Sequence, residues 1–166
     1  MTRAELRRTA RLITPAFALH VLEEAPGFTD WVNRYASERY TQRDFVRNNA
    51  LGLVGTAGAA VLVTRSSSRP LFIAFYTGVL TQEALWNTAF HAVMTGRHRA
   101  YSPGLVTALV LFLPLWWRVT RLAMREGLLT RRGVALAALA AGALHALVVA
   151  RQVFFVELTP RPPAGG

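Results

Sequence analysis

GVALAALAAGALHALVVA, residues 133–150, holds a single polar side chain, His145, and lies between Arg131-Arg132 and Arg151. A hydrocarbon core of about 30 Å needs about 20 largely apolar helical residues. This stretch therefore reads as a membrane-crossing helix, and it decides the fold class. Working back along the chain, Gly104 to Trp117 has only Thr107 as a polar side chain, and Pro70 to Met94 is a longer apolar block broken by Gln82, Glu83, Asn87 and His91. Asn48 to Thr64 is apolar and rich in small residues, with Gly52, Gly55, Gly58 and Ala59 open to close helix approach. Leu12 to Phe28 is the first and weakest span, ended by Pro26-Gly27. No small-x-small cleavage site follows its apolar part, so it is expected to be retained. The sequence thus predicts an all-α bundle of about five transmembrane helices. Residues 1–158 would form one domain, and the proline- and glycine-rich tail 159–166 is expected to be disordered.

The chain is 52% hydrophobic and 17% charged, with a net charge of +10, and every basic residue is arginine. The arginines gather at the ends of the apolar blocks instead of forming one face with interleaved aromatics. That is the pattern of membrane anchors and argues against nucleic acid as a partner. With five spans and the N-terminus inside, 11 of the 19 arginines fall on the inner side. The positive-inside rule then places the N-terminus in and the C-terminus out. The absence of cysteine excludes disulfides and thiolate metal sites. The polar stretch from Thr29 to Arg47, with Trp31, Tyr35 and Tyr40, suits either a helix on the membrane surface or a solvated loop. Pro103 is expected in the first turn of span 4 and Pro114 to kink it, with Trp116 and Trp117 as an interfacial belt near its end.

HVLEE, residues 20–24, closes the short first apolar run. On a helix His20 and Glu24 lie one turn apart with Glu23 beside them. Tracing each span in alternating direction brings these groups to one depth with Asn48, Glu83, Asn87, His91 and His145, all in the outer half of the bilayer. Ionisable groups there cost about 2.5–3.5 kcal/mol each on insertion scales, so a polar cavity open to one face is expected. His20, Glu23, Glu24, Glu83, Asn87 and His91 are the candidate catalytic residues. Asn48, Tyr76, Trp86 and Tyr101 are candidates for a substrate pocket, although packing is the commoner role for an aromatic such as Trp86.

Two chemistries use these residues. His20, Glu24 and His91, with Asn87 or His145, would suit zinc or non-haem iron in ligand type. The spacing is not the H-E-x-x-H of zinc proteases. Without a metal, a carboxyl group in apolar surroundings holds a proton toward neutrality, and a neighbouring histidine supplies the complementary acid or base.

The residues 20–24 resemble the signature of the HXXEE family, small bacterial membrane proteins. Asn87-Thr88-Ala89-Phe90-His91 and Tyr101-Ser102-Pro103-Gly104 are similar to that family's further pattern. The resemblance implies a multi-helix membrane protein in which His20, Glu23, Glu24, Asn87 and His91 matter, and it implies no reaction. The leading expectation is an intramembrane enzyme acting on a lipid or isoprenoid-like substrate by isomerisation, cyclisation or hydrolysis. A small proton-coupled transporter and a non-catalytic structural protein are the alternatives.

Overall fold

The computed structural model describes residues 3–151. The tail 159–166 and the last residues of the fifth apolar run lie outside the described residues. Every regular element among the described residues is helical.

The first span is two helices in near continuity, α1 (Arg3–Arg11) and α2 (Ile13–Glu24), joined at Leu12. Phe28 to Tyr35 then forms α3, which answers the helix-or-loop alternative for that part of the polar stretch. Its aromatic face packs inside the protein. Trp31 and Val32 are buried with Tyr40 and Phe45 in a small core of their own, and the Trp31 ring stands 6.2 Å from Phe90. Burial also pushes the Tyr40 phenol up to about 12.

Helix α4 (Gln42–Arg65) starts six residues before the expected Asn48. Thr41 and Asp44 form a reciprocal capping box, each side chain taking the other's backbone N–H at 3.1 Å. This local chemistry satisfies the first-turn donors and overrides the polarity of residues 42–47. On α4, Gly52 does permit a close approach: a Cβ there would lie 2.8 Å from the Phe17 ring. Gly55 and Gly58 have no such neighbour within 4 Å, so the expected helix-packing stripe is confined to one glycine.

The third run is one long helix in three parts: α5 (Arg69–Phe75), a π-helical segment Tyr76–Asn87, and α6 (Thr88–His98). The fourth begins after Gly104, with α7 (Leu105–Thr107), a π-helical turn Ala108–Phe112 and α8 (Leu113–Arg125). Pro103 therefore precedes the helix instead of entering it. Pro114 sits just after the widened turn, where its ring and missing N–H disrupt the ladder behind it. Trp116 and Trp117 are not at a helix end, because α8 runs on to Arg125. The Trp116 indole donates to Thr81 Oγ1 at 3.1 Å, and Trp117 lies beneath Arg121. The last helix, α9 (Arg131–Val149), is capped by Thr130.

The 69–98 helix is central. On one side α9 packs along its π-helical part; on the other lies the 105–125 helix, which in turn packs on α1 and α2, and these pack on α4. Because α4 also packs on α5 at the start of the central helix, the bundle is an arc drawn together there, while its two ends, α4 and α9, share no substantial packing with one another. Large apolar residues face outward along these ends, with Leu51, Val54, Leu139 and Leu147 each about two-thirds exposed or more.

Among the described residues three helices are long and apolar enough to cross a membrane: Gln42–Arg65, Leu105–Arg125 and Arg131–Val149. That is fewer than the five expected. Helix α2 has 12 residues after the break at Leu12, about 18 Å at 1.5 Å per residue. The 69–98 helix has the length but carries Gln82, Glu83, Asn87 and His91 in its middle.

Candidate functional site

The end of α2, the start of the 105–125 helix and the middle of the 69–98 helix converge on Gly104. Its φ of +102° favours glycine, and space requires it too. A Cβ there would lie 2.6 Å from His20 Cε1 and 2.8 Å from His91 Cε1. Only a residue without a side chain lets the backbone sit against both imidazoles.

Glu23 and Glu24, adjacent in sequence, do different work. Glu23 reaches across to the start of the 105–125 helix. Its carboxylate accepts from the N–H groups of Gly104 at 3.1 Å, Val106 at 3.1 Å and Thr107 at 2.7 Å, and from the hydroxyls of Thr107 and Tyr101. It is an N-terminal cap supplied by another helix, placed where free donors and the helix dipole both favour an anion. Glu24 is buried and turns the other way. Its Oε1 stands 3.5 Å from His20 Nε2 and 3.5 Å from His91 Nε2. It accepts no hydrogen bond of ordinary length among the described residues.

The far nitrogen of each imidazole is bonded. His20 Nδ1 is 2.9 Å from Thr107 Oγ1, and His91 Nδ1 is 2.8 Å from Ser102 Oγ. The single hydroxyl proton of Thr107 is directed at Glu23, so Thr107 accepts from His20. That makes Nδ1 the protonated nitrogen of His20 and leaves the Nε2 lone pair facing Glu24. The Asn87 amide donates to that lone pair at 3.0 Å. His91 Nε2 is buried with no hydrogen-bond partner among the described residues. One ligand atom from each of His20, Glu24 and His91 lies within 4.8 Å of the others.

This centre borders a cavity of about 820 Å³. Its walls come from α2 (His20, Glu24), α4 (Asn48, Gly52, Gly55), the π-helical segment (Gln82, Glu83, Asn87) and α9 (Leu144, His145), and it lies between the two ends of the arc. Glu83 lines it, half-buried and without a side-chain hydrogen bond among the described residues.

The expected residues are therefore only partly gathered. His20, Glu24, Asn87 and His91 meet at the centre, with Glu83 and Asn48 on the cavity wall. His145 also lines the cavity, but its Nδ1 is engaged by Gln82 at 2.9 Å and it does not join the ligand set of His20, Glu24 and His91. Three substrate-pocket candidates fall elsewhere. Tyr76 is wholly buried and bonded to Thr120 at 2.7 Å. The Trp86 indole donates to the Ala138 carbonyl at 2.7 Å and lies over Gly142 of α9. Tyr101 is half-exposed and bonded to Glu23. Ser102, Gly104 and Thr107 were not assigned to the site. Thr107 carried a signal, as the one polar side chain in its apolar block.

Fold and site together define a helical protein with membrane-length helices and a buried histidine–carboxylate centre beside an open cavity. The chain belongs to the HXXEE family, described as proteins of unknown function with an HXXEE motif, whose profile matches residues 11–119. His20, Glu23 and Glu24 are the residues of that motif. The whole centre lies within the matched region, whereas His145 lies beyond it. No curated protein and no solved structure matches the chain.

Proposed function

We propose that this chain is an enzyme of the bacterial cytoplasmic membrane, crossing it five times with the N-terminus inside. It would use His20, Glu24 and His91 on a lipid or isoprenoid-like substrate. The 3–24 and 69–98 helices would be the two less apolar spans, their polar residues shielded from lipid because they face the centre and the cavity. The observation that carries the reading is the convergence of three buried proton- or metal-binding groups, two of which, His20 and Glu24, line a cavity between two helices with apolar outer faces. An amphiphile would enter between α4 and α9 with its reactive group toward Glu24. Glu83, on the same wall, would serve as a second acid or base. Metal-assisted attack and proton transfer at a double bond both fit such a set.

The test is an untargeted comparison of membrane lipids from cells lacking the protein, complemented with wild type or with Glu24→Gln. One lipid class should change in the deletion, return with wild type and fail to return with Glu24→Gln. Identical lipid profiles in all three would overturn the reading.

A further inference from the structure

We propose that His20 Nε2, His91 Nε2 and Glu24 Oε1 bind one zinc ion, with the remaining position turned to the cavity. The proposal rests on reading these residues as one centre, but not on any reaction.

Zinc takes imidazole nitrogen and carboxylate oxygen at about 2.0–2.1 Å in tetrahedral geometry. Two ligand atoms of such a sphere are then about 3.3–3.4 Å apart. The two separations from Glu24 Oε1, 3.5 Å to each imidazole, match that edge. They are too long for good hydrogen bonds. His91 Nε2 is a buried nitrogen without a hydrogen-bond partner, aimed at this point, and such groups call for an explanation. The outward nitrogens of both rings are held by hydroxyls, Thr107 for His20 and Ser102 for His91. Metal-binding histidines are likewise oriented by a hydrogen bond from the far ring nitrogen to an oxygen acceptor. Glu23 completes the chain behind Thr107. Asn87 faces the same lone pair of His20 at 3.0 Å. Its amide nitrogen serves the free imidazole, and its carbonyl oxygen, turned into that place, would face the cation.

Three protein ligands with a fourth position open to a cavity is the arrangement of catalytic zinc, whereas structural zinc is closed by four. With one carboxylate and two neutral imidazoles, the ion changes the net charge of the centre from −1 to +1 and gives the buried anion of Glu24 a partner.

The experiment is a titration of full-length, chelator-stripped protein in detergent with zinc alone, followed by elemental analysis and competition with a chromophoric chelator. Wild type should bind one zinc per chain. His20→Gln, His91→Gln and Glu24→Gln should each weaken it by about 100-fold or more, beyond the 10–100-fold expected when only a supporting hydrogen bond is lost. Thr107→Val should fall in that smaller range. Cobalt in place of zinc should give the intense visible bands of tetrahedral coordination. Helicity by circular dichroism shows which variants fold, and if a histidine variant does not, the near-isosteric Glu24→Gln decides. Wild type that binds no stoichiometric zinc, or binds it no better than folded Glu24→Gln, would overturn the proposal. A lipid change that depends on Glu24 in protein free of zinc would remove the metal and leave the proton-transfer reading standing. Stoichiometric zinc with unchanged lipids would do the reverse.

Discussion

Changing Glu23 and Glu24 separately to glutamine should give opposite results, although the residues are neighbours and the substitution is the same. Each of the two Glu23 oxygens accepts at least two bonds, five in all: from Tyr101, Gly104 and Val106 at one oxygen and from two Thr107 groups at the other. Glutamine keeps one acceptor and turns an NH2 toward donors. At least two charge-assisted bonds are lost at about 1.5–3 kcal/mol each, and water reaching this half-buried site replaces part of them. Loss of the anion at the helix N-terminus adds about 0.3–1 kcal/mol. Glu23→Gln should therefore cost about 2–4 kcal/mol. Glu24→Gln exchanges a buried carboxylate that accepts no ordinary hydrogen bond for a neutral amide of nearly the same shape, which removes the cost of burying an unpaired charge. It should lie within about 1 kcal/mol of wild type in metal-stripped protein while abolishing function. Equilibrium unfolding of chelator-treated protein in detergent, followed by circular dichroism, measures both. Equal stability of the two variants would refute the division of labour between cap and centre.

Gly104→Ala forces a side chain into a positive-φ position and against both imidazoles. Strain of about 1–2 kcal/mol and overlap of about 1–3 kcal/mol should appear together in unfolding, with weakened zinc binding; normal binding would show that the rings are not held by this backbone. His145→Gln should leave zinc affinity within about threefold of wild type, since loss of a supporting contact that matters costs 10–100-fold; a larger loss would restore His145 to the ligand set. The Tyr101 phenol, in the loop before Gly104, is pushed up to about 12 by desolvation and by its bond to the Glu23 carboxylate. The folded state therefore holds this proton more tightly than the unfolded chain. Stability linked to it is complete below about pH 10 and is lost as the pH rises toward 12. An ultraviolet difference titration of wild type against Tyr101→Phe should show one tyrosine ionising near 12, and ionisation near 10 would mean that the contact to Glu23 is absent in solution.

Parts of the site were legible because polar residues are costly where they stand. His20, Glu24, Asn87 and His91 stood out in apolar runs, and opposite span directions brought them to one depth. The aromatic candidates were harder. Tyr76, Trp86 and Tyr101 each carry a polar tip that some neighbour must satisfy, and sequence does not say which. Thr120, the Ala138 carbonyl and Glu23 took them, on faces away from the cavity. The start of α4 was misplaced because mean polarity from Thr29 to Arg47 concealed a capping box, a signal carried by two residues. Two helices that fall short of a span furnish most of the centre: α2 is too short, and in the 69–98 helix the polar residues that lower its hydropathy are those that build the site.

The sequence by itself determined the all-helical class, the apolar runs and the residues with chemistry to offer, because these follow from hydropathy and helical period along one chain. Only the tertiary structure decided that Glu23 caps a helix while Glu24 faces two imidazoles, that Gly104 makes room for both rings, and that His145 stands apart. Those outcomes depend on how three helices cross within a few ångströms, and adjacent side chains on a helix, about 100° apart, meet different neighbours.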